Sequence, residues 1–253
     1  MMPLAIAGAL VVLLPLAGLV GRVDLADLGG LVSSPAAATA LALSLRTAAI
    51  ATALVVVLGV PLAFALHAMR GAARAVARAL VLIPLVLPPV VGGLALLYAF
   101  GRRGLLGEAV GGSLAFTTTA VVLAQTFVAL PFMVVAVESA LAARTGRHEA
   151  VAATLGASRT RILATVTLPA LGPALAAGAV LAFARALGEF GATLTFAGSL
   201  EGVTRTAPLE VYLARETDPG AAAALSLVMV AIAIVVVAVA YRPVGSARRH
   251  PTR

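Results

Sequence analysis

Apolar residues run through this chain in long, nearly unbroken stretches, with polar residues gathered between them. Six stretches approach the ~20 residues a helix needs to cross a bilayer: Leu4–Val20, Thr47–Met69, Val81–Phe100, Thr119–Leu141, Pro173–Phe196 and Ala221–Tyr241. They predict an all-α fold, a polytopic membrane helix bundle of about six transmembrane helices forming one membrane domain over residues 1–253. The first stretch reads as a retained span, because no positive charge precedes it and no small-residue cleavage site follows. The third carries Pro84, Pro88, Pro89, Gly92 and Gly93. Proline removes a backbone donor and kinks a helix. In lipid the freed carbonyls need protein or cavity water, so these residues predict a broken helix beside a polar pathway. The plainer alternative is that Pro and Gly are common in membrane helices.

Composition supports lipid as the solvent. The chain is 62% hydrophobic and 11% charged, with a mean hydropathy of +1.10. Soluble domains are roughly 45–50% apolar and about 25% charged. The formal charge is +8, with 18 basic residues, all arginine. They are sparse and lie at the ends of apolar runs, which suits a membrane and excludes a nucleic-acid groove. The absence of cysteine excludes disulfides, thiolate metal sites and cysteine nucleophiles. His67, His148 and His250 show no ligand spacing, so no metal or cofactor is expected on the chain.

The arginines also orient the spans. With the amino terminus in the cytoplasm, the inside segments hold Arg70, Arg74, Arg78, Arg144, Arg147, Arg159, Arg161, Arg242, Arg248, Arg249 and Arg253. The outside segments hold Arg22, Arg46, Arg102, Arg103, Arg205 and Arg215, and Arg185 lies within a span. Eleven against six places both termini in the cytoplasm, with an arginine-rich tail at 242–253. Asp24, Asp27, Glu108, Glu201, Glu210, Glu216 and Asp218 fall outside, while the Arg102–Arg103 pair runs against the trend.

Between the fourth and fifth spans lies an Ala-rich segment at about 144–172, which should be helical. Gly156 is placed to end one short helix as a left-handed cap. Ser158 is then the N-cap of a second helix running through Arg159, Arg161 and Ile162 toward Pro169. The prediction is a cytoplasmic helix–turn–helix with an apolar side; a helix lying on lipid headgroups is the other reading. This segment resembles the conserved cytoplasmic loop of binding-protein-dependent ABC permeases. That pattern is Glu-Ala-Ala, three residues, Gly, nine residues, Ile, one residue, Leu-Pro. Gly156, Val166, Leu168 and Pro169 fall at its spacing, with Val for Ile. Its start differs: the Glu position is Ala150, followed by Val151 and Ala152, and Glu149 stands one residue early. One residue is about 100° around a helix. The resemblance implies that the loop docks into a groove on a partner ATPase, with Glu149, Gly156, Ser158, Arg159, Arg161, Leu168 and Pro169 as its candidate coupling residues.

The fifth span holds two charges. Arg185 and Glu189 are four residues apart, which on a continuous helix puts them on one face. A charge at the bilayer centre costs at least ~2.5–3.5 kcal/mol, so such residues mark pathways; a structural ion pair between helices is the alternative. Gly188 and Gly191 flank Glu189 and loosen the helix there. Residues 186–192, Ala-Leu-Gly-Glu-Phe-Gly-Ala, resemble a stretch typical of molybdate and sulfate permeases. Residues 84–89 (Pro-Leu-Val-Leu-Pro-Pro) and 100–104 (Phe-Gly-Arg-Arg-Gly) resemble the molybdate branch. Arg185, Gly188, Glu189, Gly191, Thr193, Thr195, Pro88 and Pro89 are the candidate path or gate residues.

The resemblance, covering about 40–241, implies a permease subunit of an ATP-driven importer for molybdate in the inner membrane, with sulfate or tungstate as alternative cargo. It also implies a second copy of the chain, an ABC ATPase dimer carrying ATP and Mg, and an external solute-binding protein. The chain has no lysine and no Gly-x-x-x-x-Gly-Lys-Ser/Thr loop, so nucleotide hydrolysis is expected on the partner. No nucleophile–base pairing suggests an enzyme. An ion-coupled secondary carrier would share the broken helices and buried charges, but would be expected to show internal repeats, and the halves of this chain share no convincing similarity.

Overall fold

The computed structural model describes residues 2–23, 29–30, 34–107 and 113–240. The arginine-rich tail at 242–253 and the acids Asp24, Asp27 and Glu108 lie outside the described residues. The described residues form helices without strands, in the order α1 (Met2–Val20), α2 (Pro35–Ala68), α3 (Gly71–Val86), α4 (Pro89–Phe100), α5 (Thr118–Ala142), α6 (Arg147–Thr154), α7 (Arg159–Ile162), a π turn (Leu163–Thr167), α8 (Leu168–Leu187), α9 (Gly191–Ala197), α10 (Ala207–Thr217) and α11 (Pro219–Ala240). Five helical segments are long and apolar enough to cross a membrane, and the broken pair α3–α4, counted as one span, brings the number to six. The polytopic all-α fold read from the apolar stretches is therefore the observed one.

Several boundaries differ from the sequence reading. Helix α2 starts at Pro35 rather than at Thr47. Ser34 caps it, its Oγ accepting from Ala37 N at 3.3 Å, and Pro35 occupies the first position, where no donor is needed. Its 34 residues make about 51 Å, well beyond a ~30 Å hydrocarbon layer. The fifth span also starts early: α7, the π turn and α8 run on from Arg159 to Leu187. It ends early as well, before the break at Gly188–Phe190. The π turn ends two residues before Pro169, whose ring would meet the carbonyl of Thr165 in a regular α-helix; a widened turn relieves that clash. Helix α10 was not anticipated, because its face is only weakly apolar; Pro208 near its start and Glu210 in its first turn are the signals that would have found it.

The third span is broken, as its prolines predict. Pro84 is tolerated within α3, whereas Leu87 adopts φ −63°, ψ 135° and ends the helix. A residue before proline is driven out of the helical region, and the Pro88–Pro89 pair imposes this twice in succession.

The chain divides into two compact units. The first comprises Met1–Thr47, Pro89–Ala124 and Leu187–Ile234; the second comprises Ala48–Pro88, Gln125–Ala186 and Val235–Arg253. In the first, Ala37, Ala207 and Leu225 form a buried cluster with Leu41, Val211 and Met229 against it. Ser44 Oγ accepts the Ala207 amide at 2.7 Å there, fixing α10 against α2 through a buried bond. In the second, Met133 of α5 is fully buried between small residues. A methyl group on Gly59 of α2 would stand 3.0 Å from Met133 Cγ, and one on Gly178 of α8 would stand 3.1 Å from its Sδ. None of α1 is buried in the chain, and Ile234, Val235, Val237 and Val239 of α11 are exposed. Apolar surface on this scale is explained by lipid or by a second protein surface.

Candidate functional site

The first unit brings the two distinctive stretches together. Helix α9 packs along α4, with glycines where the backbones meet. A methyl on Gly93 would stand 2.7 Å from the carbonyl oxygen of Ala192, 2.9 Å from its Cα and 2.8 Å from Thr195 Cβ. A methyl on Gly191 would stand 2.7 Å from Pro89 Cβ. Neither glycine has a positive φ, so space alone requires them. Phe100 and Phe196 close the far end, their ring centroids 6.5 Å apart. Pro89, Gly191 and Thr195 thus belong to one tight crossing.

The fifth-span charges sit differently from the helical reading. Helix α8 ends at Leu187, with Arg185 half-buried in its last turn. Glu189 lies beyond that end, so the four-residue helical spacing does not carry from one to the other. Glu189 is buried at 1% exposure, and its Oε1 accepts the Ala192 amide at 2.7 Å. The carboxylate therefore serves the amino-terminal end of α9, where free donors and the helix dipole favour negative charge. Thr193 is fully buried, and its hydroxyl has no hydrogen-bond partner among the described residues. Thr195 is half-buried and donates its hydroxyl to the Gly191 carbonyl at 2.9 Å, so that proton is committed to the helix backbone. Gly188 is exposed and lines a groove of about 580 Å³ with Phe190, Pro208, Tyr212, Arg215 and Met229. Pro88 falls in the second unit, at the carboxyl side of the α3 break.

The second unit carries the predicted helix–turn–helix. Gly156 has φ +82° with open space around it. Gly156 N bonds to Ala153 O at 3.0 Å, and Ala157 N to Ala152 O at 3.1 Å, the paired bonds of a Schellman end. Ser158 follows as the N-cap, its Oγ accepting from Arg161 N at 3.3 Å. No residue of α6 or α7 is buried. Val151 and Leu155, one turn apart, are 54% and 82% exposed, with Arg159 and Arg161 also exposed nearby. Leu168 and Pro169 stand at the start of α8, just after the π turn.

Glu149 has a role the sequence did not announce. Its Oε1 pairs with Arg144 Nη2 at 2.5 Å and accepts the Thr167 hydroxyl at 3.2 Å. Its own backbone amide, then the Arg144 guanidinium, hold its carboxyl below the usual carboxylate range, against a smaller opposing effect of burial.

Glu138 was also missed. It is 4% exposed on α5 and takes two arginines from α3: Arg74 Nη2 at 3.3 Å from Oε1, and Arg78 Nε at 3.1 Å from Oε2. The signal was present. A lone acid inside an apolar run needs a partner, and Arg74 and Arg78 repeat at i, i+4. Among the described residues no cluster of His, Cys, Asp and Glu could hold a metal ion.

Comparison with known proteins agrees with this geometry. Residues 55–244 match the profile of the family described as binding-protein-dependent transport system inner membrane component. The chain is 56% identical over 223 residues to the molybdenum transport system permease protein ModB of Mycobacterium tuberculosis, covering 87% of this chain and 84% of that protein. It is 40% identical over 189 residues to the protein of the same name from Escherichia coli, covering 73% and 82%. Among solved structures, a bacterial alginate ABC transporter in complex with an alginate-bound periplasmic protein superposes with a TM-score of 0.73 at 14% identity, covering 94% of this chain and 89% of that one. The MetNI methionine ABC transporter gives a TM-score of 0.63 at 18% identity, covering 79% and 91%. These two share the fold. With most of its length matched, its helices of membrane length and its exposed loop at the family's spacing, the chain belongs to the binding-protein-dependent ABC permeases, as a multi-pass membrane transport component.

Proposed function

We propose that this chain is the membrane passage of an ATP-driven importer that carries molybdate inward, working as one membrane domain in two copies. A cytoplasmic ABC ATPase dimer supplies the energy from ATP and Mg, and an external solute-binding protein delivers the anion. One observation carries the reading: the loop that turns at Gly156 and Ser158 buries nothing of its own helices and presents Val151 and Leu155 to the outside. An exposed apolar pair rimmed by Arg159 and Arg161 is a surface made for a partner. The arginine asymmetry puts that surface, and both termini, in the cytoplasm, where the ATPase is. The relatives named for molybdenum transport supply the cargo.

In this reading, closure of the ATPase dimer moves the loop, and α5 and α8 carry the movement into the membrane. Pro89, Gly188, Glu189, Gly191 and Thr193 of the first unit are the candidate path residues there, and Pro88 and Arg185 are those of the second unit. A dianion would be repelled by an unneutralised carboxylate, by about 4 kcal/mol per unit-charge pair at ~4 Å and an effective dielectric of 20. The amide that Glu189 accepts at 2.7 Å supports a carboxylate turned to the backbone and away from the anion. The test is uptake of radiolabelled molybdate by cells whose own molybdate permease is deleted and which express this chain with its ATPase and binding protein. Uptake that depends on the chain, and that excess sulfate does not block, is expected. Sulfate uptake in its place would move the cargo to the sulfate branch, and uptake without the ATPase would sink the importer reading.

A further inference from the structure

We propose that Glu149 is a positioning residue that clasps the stem of the projecting loop, making the loop a rigid lever between α5 and α8. The proposal rests on the importer reading for its consequence in coupling, and on geometry for the clasp itself. Helix α5 ends at Ala142, and Arg144 stands two residues beyond it. Thr167 closes the π turn from which α8 rises. Glu149 Oε1 meets both, so a single carboxylate oxygen ties the two feet of the loop together, reaching Arg144 five residues before it and Thr167 18 residues after it. Thr167 is buried, and the side chains of Arg144 and Glu149 are 21% and 24% exposed, so the clasp is partly shielded from water. Charge-assisted hydrogen bonds of this kind are about twice as strong as neutral ones.

The clasp matters because little buried apolar surface fixes the loop among the described residues. Helices α6 and α7 bury no residue, so no apolar core holds the loop to the helices below it. The tip is rigid by itself, through the Gly156 turn and the Ser158 cap. A rigid tip on a loose stem would swing when pushed and leave α5 and α8 where they were. With the stem closed, the same push reaches both helices. The one-residue offset of Glu149 fits this role. It turns the side chain about 100° from the family's Glu position, and its partners Arg144 and Thr167 stand at the stem.

The test has two arms. In the first, amide hydrogen exchange is followed over residues 147–162 in the purified full-length chain in detergent. Glu149→Ala and Thr167→Val should each speed exchange in this segment, the former by about tenfold or more, the span of one lost charged hydrogen bond. The exchanged pair Arg144→Glu with Glu149→Arg should recover part of the protection. In the second arm, the assembled transporter in liposomes is assayed for ATP hydrolysed per molybdate imported, and the same variants should raise that ratio several-fold. Thr167→Val, which leaves the Arg144 pair in place, keeps the test valid if Glu149→Ala lowers the yield of folded protein. Unchanged exchange in both single variants overturns the clasp. Faster exchange with an unchanged ATP-to-anion ratio overturns its part in coupling. A wild-type transporter that moves no anion would refute the importer reading instead, and the exchange arm would still decide the clasp.

Discussion

The crossing of α4 and α9 makes a quantitative claim about Gly93. Replacing it with Ala places a methyl carbon 2.7 Å from the Ala192 carbonyl oxygen, 2.8 Å from Thr195 Cβ and 2.9 Å from Ala192 Cα. Carbon pairs are most favourable at ~3.5–4.0 Å, so the two carbon contacts are short by roughly 0.6–1.2 Å. Two of the three atoms are backbone, and no rotamer change can move them. The helices must separate, which for an overpacked core costs about 1–3 kcal/mol. Gly93→Val adds two further methyls and should exceed the upper figure. Gly8→Ala in α1 is the control, since a methyl there meets nothing within 4 Å. Both can be measured by unfolding from lipid–detergent micelles into SDS. Helices persist in SDS, so intrinsic propensity largely cancels and the packing difference remains. The expected result is a loss of about 1–3 kcal/mol for Gly93→Ala and a change within about 0.5 kcal/mol for Gly8→Ala. If the two variants are equally stable, the tight crossing does not exist as described and α9 is not seated on α4.

Gly156 makes the opposite demand, on conformation and not on space. Its φ of +82° with open surroundings means that Gly156→Asn should keep transport, whereas Gly156→Val should cost about 1–2 kcal/mol locally and lower uptake without reducing membrane insertion. At Glu138 the order of damage should be asymmetric. Arg74→Ala with Arg78→Ala strands a carboxylate at 4% exposure and should cost about 3–5 kcal/mol in detergent stability. Glu138→Gln leaves arginines that are 38% and 50% exposed to reach water, and should cost far less. Glu189→Ala removes the acceptor of the Ala192 amide and should lose about 1–2 kcal/mol by the same unfolding assay, with Glu189→Gln losing less because its amide oxygen still accepts. The Glu149 carboxyl is held below its ordinary range, so the stability it lends is complete above the unfolded carboxylate pKa and lost only as pH falls through the depressed value. Protection of 147–162, corrected for intrinsic exchange, should therefore stay level from pH 7 to about pH 5, and a decline within that window would contradict the charged clasp.

The sequence by itself settled what is local. Span number follows from the lengths of the apolar runs, because each helix satisfies its own backbone and needs only enough apolar length to cross the lipid. The break at Pro88–Pro89 follows from steric restriction of the residue before each proline, a rule that needs no third partner. The same holds for the loop: the left-handed turn at Gly156 and the cap at Ser158 are made by residues within five positions of each other. The spacing also located the exposed loop, since Gly156, Leu168 and Pro169 keep their order whatever lies around them. What the sequence could not supply were pairings between distant positions. Arg74 and Glu138 are 64 residues apart, and Thr167 and Glu149 are 18 apart. Gly93 meets Ala192 only because α9 folds back on α4. The end of α8 at Leu187 was likewise not legible: the spacing of Arg185 and Glu189 assumed a continuous helix, whereas Glu189 lies beyond it and accepts the Ala192 amide at the start of α9, where backbone amides attract negative charge.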